Sequence, residues 1–324
     1  MSEDGGSLRR GRGDGSAWIY LTLMILIGSS TATAAKMALG ELPWSLLPLI
    51  RFGAAGLILG PLVARPLLKM FREDAPRLMA AATLCVPVNQ SFFLTGTRFA
   101  PTSHVGLIYA TCPLVVMALA VLLGQERFRR DRLAGILMTL AGVVVIGLGN
   151  LLQSGAQGSD FLKGDLLLVG AVCSWGAYLT LNKPLVARHG GVTTLAGTFL
   201  VGCVLDLPIA LLKSGDWGRL AEVSSSAWMS LAYLTVVASL FGLICQNLAL
   251  KHVDASQLAL IGNASPILTV VWGVLLLGEA ITPALLVGGM LTIAGILWAG
   301  RSKAVPTPKA LPAPLPALPE TAAA

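Results

Sequence analysis

Ten apolar stretches, most of roughly 20 residues, follow one another along the chain, at about 17–39, 43–64, 76–97, 102–124, 132–152, 164–187, 192–213, 227–250, 254–277 and 282–300. A helix rising 1.5 Å per residue needs about 20 such residues to cross a hydrocarbon core of roughly 30 Å. The stretches are continuous, whereas barrel strands alternate apolar and polar residues. The pattern therefore predicts an all-α integral membrane fold of ten transmembrane helices. Charge content agrees, because Asp, Glu, Lys and Arg make up only 12% of the 324 residues. A soluble domain uses roughly 25% to keep its surface hydrated. The first stretch is too long for a cleavable signal peptide and lacks a small-residue cleavage site, so it reads as a span. Cys85, Cys112, Cys173, Cys203 and Cys245 all fall in apolar runs without CxxC spacing. They read as packing residues, with no metal or disulfide framework expected.

Basic residues predict the orientation, since positive loops stay cytoplasmic. With ten spans, one face collects the N-terminal arginines, Arg65 to Arg77, Arg127 to Arg132, Lys183, Arg188, Lys251 and the tail, 17 basic residues in all. The other face carries four: Arg98, Lys163, Lys213 and Arg219. Both termini are thus expected inside, the Arg clusters acting as topology signals and lipid-headgroup contacts. Residues 1–16 form a cytoplasmic arm, and 301–324 a Pro/Ala-rich tail of the composition that stays extended and disordered.

Comparison of residue i with i+153 over 98–147 finds 13 identities in 50 positions, among them Ser103/Ser256, Pro113/Pro266, Glu126/Glu279, Gly135/Gly288 and Gly142/Gly295. At an offset of 147, Thr33/Thr180, Lys36/Lys183, Phe52/Phe199 and Pro61/Pro208 pair. The chain reads as two five-helix units, 17–152 and 164–300, joined by an external linker at 153–163. Five is odd, so the second unit enters the membrane from the opposite side. Inverted repeats of this kind place two gates around one central site, which points to alternating access.

The stretch Asn89–Gly149, with AsnGlnSerPhePheLeu, AlaProThrSerHis, ProLeuValVal and GlyGlnGluArg, and its partner Gln246–Gly300, resemble the EamA-type repeat of the drug/metabolite transporter superfamily. The Arg51–Phe52 pair resembles that family's second span. In the second repeat, Thr198 stands where the arginine would. The resemblance implies a ten-helix carrier with a cavity between spans 1–4 and 6–9 and with spans 5 and 10 peripheral. It also implies export of amino acids, other metabolites or toxic compounds across a bacterial inner membrane.

Polar residues inside spans are costly and tend to face the bundle interior. Asn89, Gln90, His104, Tyr109, Trp175, Tyr178, Asn182, Gln246 and Asn263 are the candidates for a cavity wall with amide, hydroxyl and aromatic surfaces. Interhelical hydrogen bonding is the alternative for each. Lys36 is a candidate for a substrate carboxylate contact or for snorkelling. Arg51 and Asp206 lie at similar depths in symmetry-related spans and are expected to interact, directly or across water, at an outer gate. Pro113 and Pro266 each deprive a carbonyl of its helical donor and are candidate hinges. Glu126 and Glu279, at span ends, oppose the helix dipole and call for compensating donors from a neighbouring helix end.

An intramembrane enzyme would need clustered His, Asp or Glu residues, and only His104 and Asp206 lie well inside spans. A channel would need a continuous polar lining. No GxxxxGK[ST] segment is present, so ATP is not expected to drive transport directly. The expected partners are a small-molecule substrate and the bilayer, with no cofactor and no nucleic acid. Glycines in spans 5 and 10 allow close helix contacts within one chain or between two, so a monomer and a homodimer are both allowed.

Overall fold

The computed structural model describes residues 13–123, 130–154, 156–249 and 265–300. Among them every regular element is helical. In hydrocarbon no water satisfies backbone N–H and C=O groups, and a helix satisfies them within its own segment. The helices are α1 Gly13–Leu39, α2 Leu47–Leu62, α3 Ala64–Glu73, α4 Ala75–Thr83, α5 Asn89–Phe99, α6 Thr102–Tyr109, α7 Cys112–Leu122 and α8 Arg130–Ser154. They continue with α9 Ala156–His189, α10 Gly191–Leu212, α11 Ser225–Tyr233, α12 Leu243–Ala249, α13 Ser265–Leu277 and α14 Pro283–Gly300.

Six helical segments among the described residues are long and apolar enough to span: Ile19–Leu39, Ala75–Phe99, Thr102–Leu122, Asp160–His189, Gly191–Leu212 and Ser225–Ala249. A seventh is the bent pair α2–α3, and Leu133–Ile146, Leu268–Leu277 and Pro283–Gly295 are shorter apolar helices. Residues 1–12 of the N-terminal arm, the Pro/Ala-rich tail, Glu126 and Asn263 lie outside the described residues, and residues 13–16 of the arm begin α1.

Three local features depart from a row of plain helices. First, the short loop expected after the second span is the helix α3, turned 103° from α2. It buries Leu67 and Met70 beside Leu78, against Leu200 and Val201 of α10. Its other face, with Lys69 and Glu73, is exposed, so its apolar positions recur at helical spacing rather than as a run. Second, Leu84–Val88, between α4 and α5, widens to π geometry. Pro87 has no N–H for the carbonyl four residues earlier, and the helix absorbs the defect by bonding the Asn89 amide to the Leu84 carbonyl. Third, the fourth span breaks at Ala110–Thr111, where α6 gives way to α7 with Pro113 in its first turn. Leu234–Gly242, joining α11 to α12, is also π-helical.

Packing relates the two repeats to each other. Phe52 of α2 and Phe199 of α10, which are repeat mates, touch with ring centroids 4.9 Å apart. On α2, Gly56 and Gly60 leave room for Leu200, where an added Cβ would stand 3.1–3.2 Å from that side chain. The glycines of spans 5 and 10 meet within this chain. An added Cβ at Gly142 of α8 would overlap the Gly288 carbonyl and the Thr292 hydroxyl of α14, and one at Gly295 would overlap the Gly135 carbonyl. These two contacts exchange under the 153-residue offset.

Candidate functional site

A cavity of about 220 Å³ lies among α1, α2, α5, α6, α7, α9, the Leu234–Gly242 segment, α12 and α13. Among the described residues, neither α8 nor α14 contributes to its wall. Of the candidates from sequence, Arg51, Asn89, Gln90, Tyr109, Trp175, Gln246 and Pro266 line it. Met24, Ile27, Gly28, Thr31, Phe52, Phe93, Gly106 and Thr269 line it too. Phe93 and Thr269 had a legible signal, since they follow Gln90 and Pro266 by three residues and so share their helix faces. The α1 residues carried little, since Met24, Ile27 and Gly28 are apolar or small and Thr31 stands in a run of small residues with no amide or charge to mark it.

Among the described residues, Arg51 is the one charged residue of this wall. It is 5% exposed, its Nε donates to Ser239 Oγ at 2.7 Å, and its guanidinium carbon lies 4.8 Å from the Phe52 ring centroid. Asn89 Nδ2 donates to the Ala171 carbonyl at 2.8 Å, and Ser174 Oγ and Tyr109 Oη lie 3.2 and 3.4 Å away. Gln90 Nε2 donates to Asn89 Oδ1 at 2.9 Å. Two lining amides keep an atom without a hydrogen-bond partner, Gln90 Oε1 and Gln246 Nε2. Aromatic surface comes from Trp175, Tyr109, Phe52 and Phe93, with Phe93 and Tyr109 edge to face at 5.9 Å.

The other candidates are engaged elsewhere. His104 Nδ1 lies 2.8 Å from Asp165 Oδ1, a partner that hydropathy hid because Asp165 stands at a span end. Tyr178 is fully buried beneath Trp175, ring centroids 5.0 Å apart. Asn182 Nδ2 donates to Asn247 Oδ1 at 2.9 Å, and Asn247 Nδ2 to the Gly191 carbonyl at 3.1 Å, a tie between helices rather than part of the cavity wall. Arg51 and Asp206 form no direct ion pair. Arg51 bonds Ser239 instead, and Asp206, 2% exposed, keeps Oδ2 without a partner.

Lys36 does not line the cavity but belongs to a tie at one end of the bundle. Glu279 Oε1 accepts from the Thr102 amide at 2.6 Å and the Thr102 hydroxyl at 2.8 Å, and Oε2 accepts from the Ser103 amide at 3.0 Å. Lys36 Nζ donates to the Ala100 carbonyl at 2.9 Å and stands 3.6 Å from Glu279. Gly278, at φ 65°, turns the chain after α13 as only glycine does readily, and Glu279 then caps the first turn of α6 from another repeat. The expectation that Glu279 meets a neighbouring helix end is met here. Burial alone raises the Glu279 carboxyl, but the Thr102 and Ser103 amides, the Thr102 hydroxyl and Lys36 outweigh it and hold the group below the ordinary Glu value. Elsewhere, Asp74 meets His189 Nε2 at 2.8 Å and Arg188 Nη1 at 3.0 Å. Those bonds, that from His189 foremost, hold its carboxyl below the ordinary Asp value.

A family model, the EamA-like transporter family, matches residues 15–148 and again 162–301. The chain belongs to the EamA-like transporter family. As an EamA-like protein it is similar to a Streptantibioticus cattleyicolor protein described as a probable terminal-alkyne amino-acid exporter, 27% identical over 87% of this chain and 92% of that one. A Salmonella typhimurium protein described as a probable amino-acid metabolite efflux pump is 24% identical over 85% of this chain and 91% of that one. An uncharacterized transporter of Archaeoglobus fulgidus is 24% identical over 86% and 95%. A solved crystal structure superposes with a TM-score of 0.62 at 23% identity, covering 88% of this EamA-like chain and 96% of the other, a likeness of fold.

Proposed function

We propose that this chain is a secondary transporter of the bacterial inner membrane that exports small metabolites, amino acids foremost, by alternating access around the central cavity. The observation that carries the reading is the cavity itself, which takes its wall from both repeats and combines one buried cation, amides and aromatic rings. At about 220 Å³ it falls below the roughly 300–1,000 Å³ of drug-sized pockets, which favours small metabolites over bulky toxic compounds. Two similar proteins are described as handling amino acids.

The architecture that goes with this reading is ten spans in a 5+5 inverted repeat, with both termini in the cytoplasm. Six long segments and the bent α2–α3 pair support seven of these spans, and the three shorter apolar helices are the candidates for the others. The reciprocal glycine contacts of α8 and α14 are those of two elements related by a local twofold axis. The repeats are 17–152 and 164–300, and the protein is a carrier rather than an enzyme. Pro113 and Pro266 act as hinges.

Counterflow in proteoliposomes tests the reading. Vesicles preloaded with an unlabelled amino acid should take up the same labelled compound with saturation and with acceleration by the trans compound. Flux that grows linearly with concentration and ignores the trans side would identify a pore instead.

A further inference from the structure

Arg51 is a buried cation without an anion. No carboxylate among the described residues approaches it, and its hydrogen bonding is limited to Nε on the neutral Ser239 hydroxyl. The Phe52 ring contacts the guanidinium but offers no acceptor. Both terminal nitrogens, with four N–H donors, are left without a protein acceptor. Leaving a buried charge unpaired is costly, so such a site persists where an occupant repays the cost. Arg51 lines the cavity, and among the described residues no Asp or Glu does. The balance of charge in the cavity is positive, which a cation would worsen and a carboxylate would cancel.

The neutral groups agree. Gln246 Nε2 is a donor with no partner and Gln90 Oε1 an acceptor with no partner, a set that suits a carboxylate with an amino group beside it. The remaining wall is apolar, with Trp175, Tyr109 and Phe93 supplying aromatic surface.

We infer that Arg51 is the specificity-determining anchor of this cavity, binding the carboxylate of an amino or organic acid whose apolar body packs on the aromatic wall, and that solutes carrying only positive charge are rejected. This rests on the transport reading for its purpose, but the binding preference can be measured without transport. A guanidinium meets a carboxylate through two parallel hydrogen bonds, so lysine at this position would keep the charge and lose the fork.

The test uses three compounds that share one body: phenylalanine, 3-phenylpropionate and 2-phenylethylamine. Binding to the purified full chain is read from the ligand concentration that raises its thermal unfolding midpoint. The two carboxylates should stabilise the protein, and phenylethylamine should need roughly tenfold to a hundredfold more, the ratio carried by one charge-assisted hydrogen bond. Arg51→Lys should weaken the carboxylates, and Arg51→Gln should erase the preference for acid over amine. Equal stabilisation by phenylethylamine, no stabilisation by any of the three, or undiminished carboxylate binding by Arg51→Gln overturns the assignment. Should Arg51→Gln fail to fold, the wild-type ranking and Arg51→Lys still decide it. Counterflow of the same compounds separates the two readings. Carboxylates that bind but do not exchange overturn transport and leave the anchor in place.

Discussion

Glu279 illustrates at the scale of one residue how a polar group near a membrane helix end is held. Its carboxylate satisfies two amides of the first turn of α6 that have no intrahelical acceptor. Glu279→Ala should therefore cost roughly 1–3 kcal/mol, the cost of leaving buried donors unmade, seen as a lower unfolding midpoint in detergent. The pH dependence has a definite sign. A carboxyl whose folded value lies below its unfolded one adds stability above the unfolded value, near pH 4.3, and loses it as pH falls through the folded value. Wild-type stability should fall across that acid window more steeply than that of Glu279→Gln, and parallel curves would refute the assignment. The need for a donor was legible in the sequence, because a carboxylate at a helix C-terminus is unfavourable alone. The identity of the donors was not, since Thr102 lies 177 residues away. Arg51 shows the same limit, because depth along two spans suggested Asp206, whereas the side chain turns to Ser239.

Whole elements were legible where length and apolarity suffice, and lost where geometry is local. The segments Thr102–Leu122 and Gly191–Leu212 stand within about two residues of the expected spans. The turn into α3 and the two π-helical stretches were not foreseen, because a hydropathy run registers neither a short amphipathic helix nor an extra residue absorbed in a turn. The contact of α8 with α14 makes the element-scale prediction. Glycines let these backbones approach until carbonyls face Cα positions. Gly142→Val and Gly288→Val should each separate the pair, while Gly289→Val, whose Cβ would meet nothing within 4 Å, should not. The measurement is the unfolding midpoint of each variant, with a fall for the first two and about no change for the third. If Gly289→Val were as harmful as the others, a general intolerance of bulk on this helix rather than the close packing of α8 against α14 would be the cause.

For the whole molecule, alternating access requires that the cavity open to one side at a time, and the Lys36–Ala100–Glu279–Thr102 tie bridges α1, the α5–α6 turn and the α13–α14 turn. On the proposed orientation that tie lies at the outer face, where under the proposed transport cycle it would hold shut the exit used by an exported solute. An added Cβ at Gly273 would sit 2.6 Å from both Glu279 Oε2 and Thr102 Oγ1, which shows how closely the tie is packed. Breaking it should shift the population toward an outward-open form by the free energy it contributes. Cys112 reports this shift, because it lines the cavity and is buried. In a chain whose other four cysteines are replaced by alanine, a membrane-impermeant maleimide applied from outside should label Cys112 slowly. Adding Glu279→Ala or Lys36→Ala should speed labelling by roughly tenfold for each 1.4 kcal/mol removed from the closed state, more for Glu279→Ala, which loses three hydrogen bonds. Faster labelling only from the cytoplasmic side would place the tie at the inner face and reverse the orientation read from the basic residues. Unchanged labelling from both sides would make it a structural cap with no part in gating.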